Sequence, residues 1–187
     1  MSDFQERMGL AAPWEGALIA ALRAWDWTAC PYGQGMLSAD VRDALRVIAT
    51  PIRWHPDIIA VRGDVACFVD AKAGTQETPN HSIEQSSLAA FNDWYLHARL
   101  PVVVCWEVIR ANGRRSADCA FTWDLLADGA PLRKMPYRGD GSGTSGYLWP
   151  KRRCRRFGDV FGPGAPSFGP QPDWRMDQIR RAIGAAA

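Results

Sequence analysis

The stretch that most constrains this chain runs from His55 to Gly74, HPDIIAVRGDVACFVDAKAG. Residues 58–61 and 65–69 are almost wholly apolar, β-branched or small, and only Arg62, Gly63 and Asp64 separate them. Short apolar runs bounded by turn residues read as two buried strands of a hairpin. A two-residue loop led by Gly63 suits the primed turns that match the twist of paired strands. The register then follows by counting. Arg62 faces Val65, Val61 faces Ala66, and the series ends with Asp57 directly opposite Asp70. Opposed residues carry Cβ atoms about 4.5–5.5 Å apart, close enough for two carboxylates to hold one divalent ion. Asp70 and Lys72, two apart on one strand, share a face, while Ala71 turns to the other.

Three ionisable groups at the end of two apolar strands are costly unless their charges are compensated, and a bound cation together with Lys72 would do so. Hard oxygen donors suit Mg2+ or Mn2+. Such an ion neutralises charge on a phosphate and lowers the pKa of an attacking water, which is what phosphodiester hydrolysis needs. The Ala71 carbonyl offers a further ligand. Lys72 would orient or help deprotonate the water, or stabilise the transition state, through its ammonium or a partly depressed pKa. The competing structural account is a hairpin-end ion pair, worth little if exposed.

Around this hairpin the sequence predicts a helix over 14–26, entered at Pro13, with Glu15 in its first turn and Leu18, Ala21, Leu22 and Trp25 on one face. A glycine-containing turn over 32–35 follows. Ser38 then caps a shorter helix bearing Val41, Leu45 and Val47, which Pro51 stops. After a loop over 74–80, Ser82 reads as the cap of a helix reaching His97, and residues 102–108 as another buried strand. Beyond Ala111 the signal weakens. A glycine- and serine-rich loop is expected over 138–146, an edge strand over 147–149, and a proline-rich segment over 162–173 closed by a short helix. The order of helix, strands, helix and strand describes a mixed sheet flanked by helices. Residues 1–110 form the core, and the basic part 111–187 completes or extends the same domain.

Pro56-Asp57 followed by Asp70-Ala71-Lys72 at the end of the next strand resembles the PD-(D/E)xK nuclease superfamily, with its restriction-endonuclease-like fold and its Holliday junction resolvases. The similarity spans about residues 13–108. The resemblance implies metal binding by Glu15, Asp57 and Asp70 and catalysis by Lys72, with Gln85 matching the polar residue that often follows on the next helix. Asp70 stands where many members carry glutamate. The implied activity is Mg2+- or Mn2+-dependent cleavage of DNA, by an endonuclease acting on branched or otherwise structured substrates. The alternative is a nuclease-fold protein without turnover that binds nucleic acid or serves in assembly.

Charge is divided unevenly. Residues 1–107 carry 8 Lys and Arg against 13 Asp and Glu, whereas residues 108–187 carry 14 against 7. The densest basic run, Lys151, Arg152, Arg153, Arg155 and Arg156, lies between Trp149 and Phe157, a pattern suited to tracking a nucleic-acid backbone with aromatic surfaces beside it. His81 is weighed as a phosphate contact against an ordinary solvated loop histidine, and the latter is favoured. The five cysteines are scattered and never spaced as metal knuckles or redox pairs. With no apolar run near the roughly 18 residues of a membrane span and no leader-like N-terminus, the expectation is a cytoplasmic protein, attractive as a homodimer for cutting two strands.

Overall fold

The structure is a computed structural model, and it describes residues 3–45, 47–48, 51–73, 78–110, 112–127, 130, 133–135, 145–165 and 168. The loop after Gly74, most of the glycine- and serine-rich loop, and the helix expected after Asp173 lie outside the described residues.

Helix α1 spans Asp3–Arg23. It begins earlier than the sequence predicts and carries Pro13 within it rather than at its entrance. It ends at Arg23, before the expected boundary, because Asp26 adopts a left-handed backbone (φ 60°), a conformation that Asp tolerates better than most residues. The Trp27 N–H reaches back to the Leu22 carbonyl, closing the turn. Strand β1 (Thr28–Pro31) follows. Only Ala29 of its four residues is buried, so no alternation announces it in the sequence. Helix α2 (Ala39–Leu45) starts as expected, with the Ser38 hydroxyl accepting the Val41 N–H at 3.4 Å. The helix buries none of its residues, and Val41 and Val47 face solvent.

Strands β2 (Ile58–Arg62) and β3 (Val65–Lys72) form the expected hairpin with the expected register, Arg62 opposite Val65 and Ile58 opposite Val69. Gly63 takes φ 61°, where a side chain would be strained. Strand β4 (Asn80–Glu84) occupies the place predicted to begin a helix. Its burial alternates, His81 and Ile83 inward and Ser82 outward, which is strand periodicity. Helix α3 therefore starts at Gln85 and runs to Ala98, with no side-chain cap.

Strand β5 (Val102–Ile109) lies parallel to β3, and β6 (Arg115–Phe121) is antiparallel to β5. A short helix α4 (Thr122–Leu125), strands β7 (Arg133–Met135), β8 (Gly146–Pro150) and β9 (Arg155–Arg156), and helix α5 (Phe157–Phe161) complete the described chain. The main sheet runs β1-β2-β3-β5-β6-β9, and a smaller sheet runs β4-β8-β7. The strand predicted at the sheet edge over 147–149 is thus the middle strand of the smaller sheet.

Two apolar layers cover the main sheet. On one face Trp14, Leu18 and Leu22 of α1 and Phe157, Val160 and Phe161 of α5 meet Cys67, Val69, Ala71, Val103 and Cys105. On the other, Leu88 and Phe91 of α3 meet Phe68, Val102, Val104 and Trp106. The alternation of β3 and β5 divides these residues between the faces, and it also sends the side chains of Asp70 and Lys72 to the α3 side. Burying each large apolar side chain contributes about 1.5–3 kcal/mol. The layers therefore hold the polar ends of β2 and β3 rigidly beside one another.

Candidate active site

Asp57 stands one residue ahead of β2, where continuation of the ladder sets it opposite Asp70. Its carboxylate Oδ2 accepts the Ala71 N–H at 2.8 Å. Its own carbonyl accepts two N–H groups from the chain leaving β1, Tyr32 at 2.7 Å and Gly33 at 3.1 Å. Gly33 is pressed against it so closely that an added Cβ would lie 2.9 Å from both Cα and Oδ1 of Asp57. Asp57 is consequently held between the chain leaving β1, which bonds its carbonyl, and β3, which bonds its carboxylate.

Asp70, only 2% exposed, ends the apolar run of β3. Lys72 Nζ lies 2.9 Å from its Oδ2. The ammonium thus compensates a buried carboxylate oxygen that has no other donor. The lysine stem also brings its ammonium 5.6 Å from the Phe91 ring centroid. Glu15, half-buried on α1, joins these groups in one cleft of about 260 Å³, which Gln34, Arg53, His55, Glu84 and Ser87 help to line.

The electrostatics follow from this crowding. Burial, and then the charge of Asp70, raise the Asp57 carboxyl well above its ordinary range, despite Lys72 and the Ala71 N–H. Burial and Asp70 likewise raise Glu15. Burial draws Lys72 downward, but Asp70 and Asp57 together outweigh it and leave the lysine raised. Of the two forms considered from sequence, this environment favours the ammonium. Burial lowers His55, which stays neutral there.

Four carboxylates, Glu15, Asp57, Asp70 and Glu84, against the two cations Lys72 and Arg53 leave negative charge in a confined space. A hard dication fits this donor set. Glu15, Asp57 and Asp70 are the residues that would hold it. Without a cation, the raised Asp57 means that the folded state binds more protons than the unfolded chain. The stability this group contributes is present below the unfolded carboxyl pKa and is lost as pH rises through the folded one. Asp57→Asn keeps an acceptor for the Ala71 N–H and removes the charge. In EDTA at pH 7 the variant should melt a few degrees higher than the parent, at about 2–4 °C per kcal/mol for a chain of this size. At about pH 4 the gap should close. Melting curves at the two pH values check this, and a lower Tm at pH 7 would show that the carboxylate stabilises the fold.

Gln85, the remaining sequence candidate, is exposed at the first turn of α3 and does not line the cleft; its neighbour Glu84 does. Ala71 buries its methyl on the α1 side. His81 is neither solvated nor in a loop: it is 7% exposed within β4 and its Nε2 meets Asp118 Oδ2 at 2.8 Å. The basic run divides. Arg155 lies over the Phe121 ring at 5.2 Å and 3.7 Å from Asp124. Arg156 pairs with Asp118, which pairs with Trp106, which pairs with Lys72. Arg156 thus belongs to the same cross-sheet row as Lys72, about 14 Å away at three strand spacings. Arg152 and Arg153 are exposed in the turn before it, and Lys151 is half-buried.

Sequence reasoning did not find Gly33, Arg53, Glu84 or Ser87. Only the strand period of residues 80–84 held a signal for Glu84, through its alternation with Ile83 and Ser82.

The fold is that of a mixed α/β protein with a central mixed sheet flanked by helices, the resolvase-nuclease arrangement. Among solved structures the chain is similar to Archaeoglobus fulgidus Hjc, a Holliday junction resolvase from an archaeal hyperthermophile. The TM-score is 0.52 and the identity 11%, over 81% of this chain and 95% of that one. No protein-family model and no curated protein sequence matches the chain. Among the described residues, no helix is long and apolar enough to cross a membrane.

Proposed function

We propose that the chain is a metal-dependent nuclease that hydrolyses DNA phosphodiester bonds at the Asp57, Asp70 and Lys72 cleft. The observation that carries this reading is the convergence of Asp57 and Asp70 from adjacent strands, with Lys72 paired to Asp70, in a cleft that Glu15 also enters. Mg2+ or Mn2+ held by Glu15, Asp57 and Asp70, with the Ala71 carbonyl as a further ligand, would supply Lewis-acid charge neutralisation and an acidified water.

The chain's own residues do the remainder. Asp57, fixed by the Ala71 N–H and by the turn at Gly33, and Asp70, fixed in β3, hold their oxygens in place before substrate arrives, which removes the cost of ordering them later. Lys72 stays cationic and lies beside Asp70. It is positioned to stabilise negative charge developing on the phosphate oxygens rather than to act as a neutral base. Glu84 offers a carboxylate on the Lys72 side of the cleft, and Arg53 a cation at its rim.

A nucleic-acid backbone entering the cleft would be held by the exposed basic surface of Arg152, Arg153, Arg155 and Arg156. Changing these four arginines to glutamine should weaken duplex binding and flatten its salt dependence, since each phosphate contact contributes about 0.9 to the slope of log K against log salt. Titrations at several salt concentrations read the effect, and an unchanged slope would remove the basic run from the binding surface. Branched or structured DNA is the preferred substrate in this reading, following the fold shared with a Holliday junction resolvase. A homodimer would place two such clefts on two strands, in a protein acting in the cytoplasm.

A further inference from the structure

A second cluster of ligand-type side chains lies apart from the cleft, on the same face of the main sheet. His81 from β4, Asp118 from β6 and Cys154 from the turn before β9 place their ligand atoms within 4.8 Å of one another. We propose that these three residues form a second metal site, for a zinc-class dication, that fastens the smaller sheet to the main one.

The geometry is close to what such an ion requires. Tetrahedral ligands at about 2.0–2.3 Å from zinc lie about 3.3–3.7 Å from each other. Small side-chain rotations bring the three atoms to that spacing. The His81 ring is held by stacking on Trp106, with centroids 4.9 Å apart and planes 6° from parallel. This fixes Nε2 toward Asp118 Oδ2 at 2.8 Å, so the imidazole is already aimed.

The second observation comes from Trp149 on β8. It is 4% exposed, and its indole Nε1 is buried with no hydrogen-bond partner. That N–H faces the Cys154 sulfur without completing a hydrogen bond to it. A buried donor without a partner costs about 1–3 kcal/mol. A metal-bound thiolate is the acceptor that satisfies it, because hydrogen bonds from the surroundings commonly orient and tune a ligating sulfur. Asp118 and Cys154 are only partly buried, which leaves a fourth position for water.

The donor set also separates the two sites chemically. Imidazole and thiolate select zinc-class metals, whereas the oxygen-only cleft suits magnesium or manganese. Asp118 and Lys72 lie in one row, on either side of Trp106. The site therefore sits about 10 Å from the cleft at two strand spacings. Its role is positional, since it pins β4, the strand that delivers Glu84 to the cleft. The inference stands whether or not the cleft cleaves DNA.

The test uses the full chain, stripped with EDTA and reloaded with cobalt(II) or zinc alone. Cobalt should give a thiolate-to-cobalt charge-transfer band with the visible bands of a tetrahedral ion, and zinc should abolish that band as it displaces the cobalt. Cys154→Ser should lose the charge-transfer band, whereas Cys30→Ser and Asp70→Asn should retain it, because the cleft has no sulfur donor. His81→Ala should weaken cobalt binding at least tenfold. If Cys154→Ser does not fold, the spectrum of the parent protein still decides. Absence of a sulfur-to-cobalt band in the parent, or its persistence in Cys154→Ser, would overturn the site and leave His81 and Asp118 as a hydrogen-bonded pair.

Discussion

Asp70→Asn is expected to lower metal-dependent DNA cleavage at least about a thousandfold while leaving the fold and most DNA binding intact. The substitution keeps the size of a side chain that is 2% exposed in β3 and removes the charge that both a dication and Lys72 face. Losing about 4 kcal/mol of transition-state stabilisation corresponds to that factor, and metal-assisted catalysis supplies several kcal/mol. Binding should survive because the Arg152 to Arg156 surface lies elsewhere on the sheet. Single-turnover cleavage measured beside a binding titration separates the two. A loss of binding as large as the loss of cleavage would mean that Asp70 maintains structure instead.

Gly33→Ala should also cost about a hundredfold, although Gly33 carries no functional group. A Cβ there meets Asp57 Cα and Oδ1 at 2.9 Å, nearer than real Cβ contacts come, and the clash is with backbone as well as side chain. Either the carboxylate or the turn after β1 has to move. Displacing a positioned group by about 1 Å costs about 10² in rate. The backbone at Gly33 is otherwise ordinary, with φ −65°, so a substituted protein should still fold. Rates and melting temperatures of the variant check this, and near-parental cleavage would show that Asp57 tolerates displacement.

The β2–β3 hairpin was legible because two short β-branched runs and one glycine turn leave a single register, and Asp57, Asp70 and Lys72 follow from it by counting. β1 and β6 were not. β1 buries one residue of four, and of the residues β6 buries, Ala117, Cys119, Ala120 and Phe121, three are small side chains with little strand preference of their own. Their places are set by β2 and β5, through pairing that no local pattern records. β4 was misread because Ser82 followed by Gln85 imitates a helix-capping signature. The alternation of His81 and Ile83, buried against Trp106 and the α3 layer, decided otherwise. Gln85 is the position the resemblance points to, but the helix cap falls at Glu84, two residues beyond Ser82, and it is Glu84 that lines the cleft. The close approach of Gly33 to Asp57 is a tertiary contact across 24 positions, and a lone glycine in a turn gives no sign of it.

In the proposed function the Asp57, Asp70 and Lys72 cleft hydrolyses DNA with a bound dication. Its most direct test is incubation of the purified protein with labelled four-way-junction, duplex and single-stranded DNA in magnesium, manganese or EDTA, beside Asp70→Asn. Cleavage that appears with magnesium or manganese, vanishes in EDTA and is absent from Asp70→Asn is the expected result. Binding to all three substrates with no cleavage in any metal would contradict it and leave a nucleic-acid-binding protein on a nuclease fold.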